Sequence, residues 1–193
     1  MTASAETPNS AVPPLTALLQ AAFPQSVRDR HAQGGEETVI VRRQGMLDLF
    51  RFLRDDPRCA FDLMIDLTAV DHLPRTPRFE VVVHLKSLAH NHRLRVKIPI
   101  EEGQEEVDSI SALWVAADWY ERECFDMYGI RFAGHPDLRR LLLYPEFAGH
   151  PLRKDYDHRL QQPRVPLRAV RERHDYEMRV QYPEGVEKPR NPA

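Results

Sequence analysis

Phe79–Ile100 reads FEVVVHLKSLAHNHRLRVKIPI, two β-rich runs separated by the polar tetrapeptide Ala89-His90-Asn91-His92. In the second run Leu94, Val96, Ile98 and Ile100 alternate with Arg95 and Lys97, the period-2 pattern of a strand with one buried face. The first run, Phe79 to Leu88, is dense in valine, and the spacer has the length and polarity of a hairpin loop. A lone hairpin is marginal in water, so the fold depends on what flanks this one.

Upstream, Phe61 to Val70 (FDLMIDLTAV) is apolar at nearly every position except Asp62, Asp66 and Thr68, which predicts a central strand covered on both faces. Met46, Leu47, Phe50 and Leu53 predict one face of a short helix that stops before Pro57, and Thr38-Val-Ile-Val-Arg42 has the composition of a further strand. Leu15, Leu18, Leu19, Ala22 and Phe23 predict a first helix from Leu15 to about Arg30, with Pro24 as the point where it splits. Residues 1–14, rich in Ser, Thr, Ala and Pro, are expected to be disordered.

Downstream, the acidic run EEGQEEVD reads as a solvated loop, after which Asp108 or Ser109 caps a helix containing Ile110, Leu113 and Trp114. That helix continues, with a break near Ala116 to Asp118, to Tyr128 and ends at Gly129. Helix, strand, helix and then several strands is an α+β order, with helices packed on a mixed β-sheet. From Pro151 the character changes: ten Lys/Arg and seven Asp/Glu are interrupted by prolines, and Leu152, Tyr156, Leu160, Tyr176 and Tyr182 stand as isolated apolar residues. Such a stretch cannot make its own core, so residues 15–150 are read as one domain and 151–193 as a long extended C-terminal tail that needs a partner's surface.

The whole chain, 193 residues with 42% hydrophobic content, supports one core. Its net formal charge is −2, and no run approaches the roughly 18 apolar residues that span a bilayer. The N-terminus lacks the basic and apolar regions of a signal peptide, so a soluble or peripheral protein is expected. Cys59 and Cys124 are the only cysteines and lie outside any CxxC pattern. Alone they build neither an iron-sulfur cluster nor a four-cysteine zinc site, and both read as buried thiols.

The densest chemistry lies in Tyr120–Tyr156, YERECFDMYGIRFAGHPDLRRLLLYPEFAGHPLRKDY. Glu121, Glu123 and Asp126 fall on about two helical turns, and Arg122 is placed i, i+4 to pair with Asp126. No histidine shares their face at a metal-binding spacing, so ion pairs that orient the helix or meet a partner are favoured over metal or acid–base roles. Two Gly-His-Pro triplets, Gly134-His135-Pro136 and Gly149-His150-Pro151, are followed by Leu138-Arg139-Arg140 and Leu152-Arg153-Lys154. Glycine allows a tight bend and proline extends the residue before it, so each imidazole either aims at a neighbouring chain or satisfies loop carbonyls. Arg131, Arg139, Arg140, Arg153 and Lys154 form a basic set with few interleaved aromatics for stacking bases. Arginine forks meeting carboxylates across an interface are therefore expected, and nucleic acid is not.

These residues resemble, almost one for one, the 30 kDa subunit of respiratory complex I, which in bacteria is the C subunit of NADH-quinone oxidoreductase. The resemblance runs through Glu121-Arg122-Glu123, Asp126, Gly129-Ile130, Phe132, Gly134 to Arg140 and Gly149 to Tyr156, and upstream through Asp66 to Asp71, Arg78 to Val82 and His84-Leu85. It departs at Asp157, where the family often has proline, and Arg164 to Arg179 matches no family pattern. The resemblance implies a non-redox structural subunit in the hydrophilic arm of a proton-translocating NADH:quinone oxidoreductase. It further implies docking to the 49 kDa subunit beside iron-sulfur subunits, on the cytoplasmic side of the bacterial inner membrane, as a peripheral protein held there by the complex. Iron-sulfur clusters, FMN and quinone would belong to other subunits, with no cofactor in this chain. By motif, Glu121, Arg122, Glu123, Asp126, His135, Arg139, Arg140, His150, Arg153, Lys154, Asp155 and Tyr156 become partner-contact or positioning residues. A hydrogenase-, ferredoxin- or deazaflavin-linked relative, a freestanding His/carboxylate metal enzyme and an RNA-binding module are the competing readings.

Overall fold

The computed structural model describes residues 15–33 and 36–165. In chain order the elements are helix α1 (Leu15–Ala22), strands β1 (Val27–Gln33) and β2 (Glu36–Val41), helix α2 (Met46–Asp55), strands β3 (Leu63–Asp71), β4 (Phe79–Lys86), β5 (Arg93–Ile100) and β6 (Glu106–Asp108), helix α3 (Ala117–Tyr128) and strand β7 (Arg131–Ala133). Five strands form one sheet in the order β1-β2-β5-β4-β3, while β6 and β7 pair separately. Strands β2 and β5 are parallel and the other neighbours in the large sheet antiparallel, so the sheet is mixed and the class is α+β.

The hairpin forms where its pattern places it, with Phe79 opposite Ile100 and Lys86 opposite Arg93. Leu94, Val96, Ile98 and Ile100 are buried, and on the other face Arg95 reaches Glu36 at 2.7 Å and Lys97 reaches Glu80 at 2.9 Å. Helix α2 buries Met46, Leu49, Phe50 and Leu53, each contributing about 1.5–3 kcal/mol relative to exposure. Phe50 meets Trp114 edge-on at 5.9 Å, and the Trp114 indole N–H donates to the Phe61 carbonyl at 3.1 Å. Both cysteines are free and buried, and burial pushes the Cys59 thiol up to about 11. Among the described residues, no helix is long and apolar enough to cross a membrane.

Three expectations are corrected. The first helix stops at Ala22, not Arg30: Pro24 follows, and Val27–Gln33 instead gains a ladder of hydrogen bonds with β2. The FDLMIDLTAV strand is an edge strand, and Leu63 and Ile65 stay exposed while Met64, Leu67 and Ala69 face the core. The long helix begins at Ala117, not Ser109, because the Ser109 hydroxyl and the Ile110 N–H both donate to Glu121 and the chain between them and the helix turns instead. The expected disorder of residues 1–14 lies outside the described residues.

Candidate functional site

Helix α3 carries most of the singled-out polar residues, and both its ends are held by the Gly-His-Pro segments. At the N-terminal end the His135 ring, with no exposed side chain, points its Nε2–H at the Asp118 carbonyl at 3.1 Å. The Asp118 Oδ1 lies beside it at 2.9 Å without a hydrogen bond of its own. The other ring nitrogen, Nδ1, accepts the Asp137 N–H at 3.0 Å, which fixes the proton on Nε2. One turn into the helix, Glu121 is fully buried and accepts from Ser109 Oγ at 2.6 Å and Ile110 N at 2.7 Å. Burial outweighs those bonds and raises its pKa.

At the C-terminal end four carbonyls need partners beyond the helix; its C-cap Gly129 serves one, and the segment that begins at the second triplet supplies donors for the other three. The Phe125 carbonyl takes the N–H of Gly129 at 2.9 Å, and the Asp126 carbonyl takes His150 Nδ1 at 2.9 Å. The Met127 carbonyl takes the Leu152 N–H at 3.1 Å, and that of Tyr128 takes Arg153 Nε at 2.5 Å. A guanidinium at this end also complements the negative pole of the helix. Gly129 has φ of 75°, and a Cβ there would sit 2.6 Å from His150 Nε2 and 2.9 Å from an Arg153 guanidinium nitrogen. Only glycine admits both the backbone angle and this close cap. Burial lowers the His150 pKa, against the hydrogen bond to Asp126.

The helix is also tied to the loop that follows it. The Asp126 side chain is fully buried; its Oδ2 accepts the N–H groups of Leu141, Leu142 and Leu143 at 3.0, 2.8 and 2.9 Å, and its Oδ1 accepts Arg140 at 2.7 Å. Burial opposes the charge, but these four donors outweigh it and lower the pKa. Arg140 continues to the carbonyls of Phe147 and Gly149 at 3.0 and 3.1 Å. A second hub is Arg78, nearly buried, which grips Asp71 through two bonds of 3.2 and 3.0 Å, reaches Asp155 at 2.7 Å and pairs with Glu102. Asp71 also accepts the Lys154 N–H at 2.8 Å and the Leu73 N–H at 3.0 Å. Burial works against the Asp71 charge, yet the bonds from Arg78, Lys154 and Leu73 hold its pKa at about 2.

Of the residues singled out from sequence, Glu121, Arg122, Asp126, His135, Arg140, His150, Arg153 and Asp155 all bond within this chain. Lys154 does so through its backbone N–H, and Tyr156 stacks on Phe147 at 6.2 Å while its hydroxyl accepts from Gln162 at 2.5 Å. Arg139 pairs with Asp137 at 2.8 Å on the surface, and Glu123 is exposed. Both imidazoles thus take the carbonyl-satisfying option. The expected Arg122–Asp126 pair is not made, because Arg140 supplies the guanidinium and Arg122 turns to the carbonyls of Arg139 and Arg140. Within the basic set, Arg131, Arg139, Arg140 and Arg153 lie beside Glu106, Asp137, Asp126 and Glu105 respectively. Sequence reading missed Ser109 as Glu121's partner and the Asp71–Arg78 hub, whose only signal was membership of the upstream motif segments. The first compact unit runs to Gln162, so the segment from Pro151 to Gln162 belongs with it and not with the tail.

The family described as respiratory-chain NADH dehydrogenase, 30 Kd subunit, matches residues 39–162. The NADH-quinone oxidoreductase C subunit of Hyphomonas neptunium is 49% identical over 142 residues, covering 74% of this chain and 70% of that protein. Its counterpart of the same name in Citrifermentans bemidjiense is 46% identical over 138 residues, 72% of this chain and 84% of that one. Among solved structures, the trypsin-resistant fragment (1–134) of Nqo5 superposes with a TM-score of 0.57 at 28% identity, over 64% of this chain and 98% of the fragment. A chain of the membrane-bound sulfane sulfur reductase, an archaeal respiratory membrane complex, superposes with a TM-score of 0.61 over 91% of this chain and 96% of that one; at 21% identity it is a likeness of fold alone. The match begins in β2 and closes on the segment that caps α3, and the chain belongs to the respiratory-chain NADH dehydrogenase 30 kDa subunit family.

Proposed function

We propose that this chain is a non-redox structural subunit of the hydrophilic arm of proton-translocating NADH:quinone oxidoreductase. It docks to the 49 kDa subunit and fixes the neighbours that carry iron-sulfur clusters, FMN and quinone, and it is held on the cytoplasmic side of the inner membrane through them. The observation that carries the reading is the engagement of the signature side chains inside the chain: the carboxylates, imidazoles and guanidiniums of residues 121–155 serve one helix and its loops. A rigid frame of this kind suits positioning, and distance control is what electron transfer between neighbours requires. Beyond Gln162 stand 31 further residues, charged and proline-interrupted, which suit an arm laid on a partner.

The test is a truncation after Gln162 expressed in the native host in place of the full chain, followed by purification from solubilised membranes. The truncated chain should keep its fold and lose the 49 kDa subunit and the NADH:quinone activity that accompanies the full chain. Undiminished recovery of that partner would refute the docking role. The identity of the copurifying dehydrogenase proteins also decides between an NADH-driven complex and a hydrogenase-, ferredoxin- or deazaflavin-linked relative.

A further inference from the structure

Two donors reach the buried carboxyl of Glu121, and they divide its oxygens between them. Oε1 takes the Ile110 N–H at 2.7 Å, and because an amide N–H only donates, this oxygen is fixed as an acceptor. Oε2 lies 2.6 Å from Ser109 Oγ, which lies 2.7 Å from Ser111 Oγ and also accepts the Ser111 N–H at 3.2 Å. A hydroxyl has one proton and two lone pairs. With one lone pair taken by the Ser111 N–H, Ser109 keeps one proton and one lone pair for its two oxygen neighbours, so the row has two complete arrangements. In the first, the Ser111 hydroxyl donates to Ser109 and the Ser109 hydroxyl donates to the Glu121 carboxylate. In the second, a protonated Oε2 donates to Ser109, which donates to Ser111. Neither leaves Oε2 or Ser109 Oγ unmatched, so the same heavy-atom positions hold the carboxyl in both charge states.

The row leads outward, since Ser111 is half-buried where Ser109 is buried. The other titratable groups facing Glu121 are Asp118 and Cys124 of its own helix and His135 of the loop after β7. His135 Nε2 stands 4.0 Å from Oε2, beyond hydrogen-bond reach, and its proton is directed at the Asp118 carbonyl. Burial above all raises the Cys124 thiol and keeps it neutral. Burial first, and then the Asp118 charge, favours the protonated acid at Glu121, against Ser109, Ile110 and His135. We infer that Glu121 is a buried proton-exchange site that takes up and releases its proton through Ser109 and Ser111 while the fold stays closed. A proton arriving from water at Ser111 Oγ sends the Ser111 hydroxyl proton to Ser109 Oγ, and the Ser109 proton passes to Glu121 Oε2. Each serine gains one proton and gives up one, and only Glu121 changes charge. The buried start of α3 thereby follows the pH of the surrounding water without backbone movement. The inference is independent of the structural-subunit reading.

The test is an NMR titration, across about pH 4 to 9, of the full-length chain isotopically labelled at its glutamate carboxyl carbons. The Glu121 signal, identified by its loss in Glu121→Gln, should titrate in one step above the ordinary glutamate range while the backbone amide signals keep their native dispersion. Ser109→Ala removes the donor that the ionised form uses, so the midpoint should rise, making the acid roughly tenfold weaker. Ser111→Ala strands the Ser109 proton when Glu121 is protonated, so the midpoint should fall, making the acid roughly threefold stronger or more. Ser109→Thr keeps the hydroxyl and should restore the unaltered midpoint, which separates loss of the hydroxyl from loss of packing. Midpoints that move the same way in both alanine variants, a Glu121 that titrates like free glutamate, or native amide signals lost across the step overturn the inference. Ser111 lies at the outer end of the row, so the Ser111→Ala shift decides even if Ser109→Ala fails to fold: a fall supports the exchange path, and a rise or no change overturns it.

Discussion

Glu121 and Asp126 lie five residues apart on α3, both fully buried, yet their protonation equilibria move in opposite directions. The difference is in donors: Asp126 receives three backbone N–H groups and a guanidinium, Glu121 one hydroxyl and one N–H. A raised folded pKa means that Glu121 stabilises the fold below its unfolded pKa of about 4.3 and that this contribution is lost as pH rises through the folded value. Glu121→Gln keeps an acceptor for Ile110, so it should flatten the fall in stability above that pH and leave stability at neutral pH equal or higher, as measured by thermal unfolding across pH 4 to 7.5. For Asp71 the sign reverses. With a folded pKa of about 2, its contribution of roughly 2 kcal/mol is present above about pH 3.9 and lost as pH falls toward 2, so Asp71→Asn should remove that part of the acid transition. Gly129→Ala should cost about 1–3 kcal/mol in backbone strain alone, and more once His150 and Arg153 are displaced, readable by chemical denaturation.

At the scale of elements, the hairpin β4–β5 and the helix α2 were legible because each has a period that only one geometry satisfies. Strand β1 was not: VRDRHAQ alternates nothing apolar, and it is a strand because β2 offers it hydrogen bonds. Strand β3 misled because an apolar run does not distinguish a central strand from an edge one, and its Leu63 and Ile65 point away from the core. Several residues of the polar signature bond around α3, and local spacing did not give their partners within the chain. Local i, i+4 logic paired Arg122 with Asp126, whereas the donors that matter come from residues 14 to 25 positions away, beyond any helical spacing. Arg153→Ala tests the cap: losing a charged donor to the Tyr128 carbonyl should cost about 2 kcal/mol and speed amide exchange in the last turn of α3 while the hairpin stays protected.

At the scale of the molecule, the chain divides into two compact units after Gln162. Residues up to 162 complete the frame, since Leu152, Arg153, Lys154 and Asp155 cap α3 and close the Arg78 hub. Removal of residues 163–193 should therefore leave thermal unfolding unchanged, whereas removal from Pro151 onward should cost roughly 5 kcal/mol or more. The match to the respiratory-chain 30 kDa subunit family ends at the same residue as this frame, Gln162. The most direct measurement is thermal unfolding of the isolated full-length chain at neutral pH with Asp126→Asn, alongside complex assembly by the same variant. An inward-facing signature predicts a loss of about 3 kcal/mol, a fall in Tm of about 10 °C, in the isolated chain itself. An unchanged Tm with failed assembly would mean that the carboxylate belongs to an interface, contradicting the internal frame.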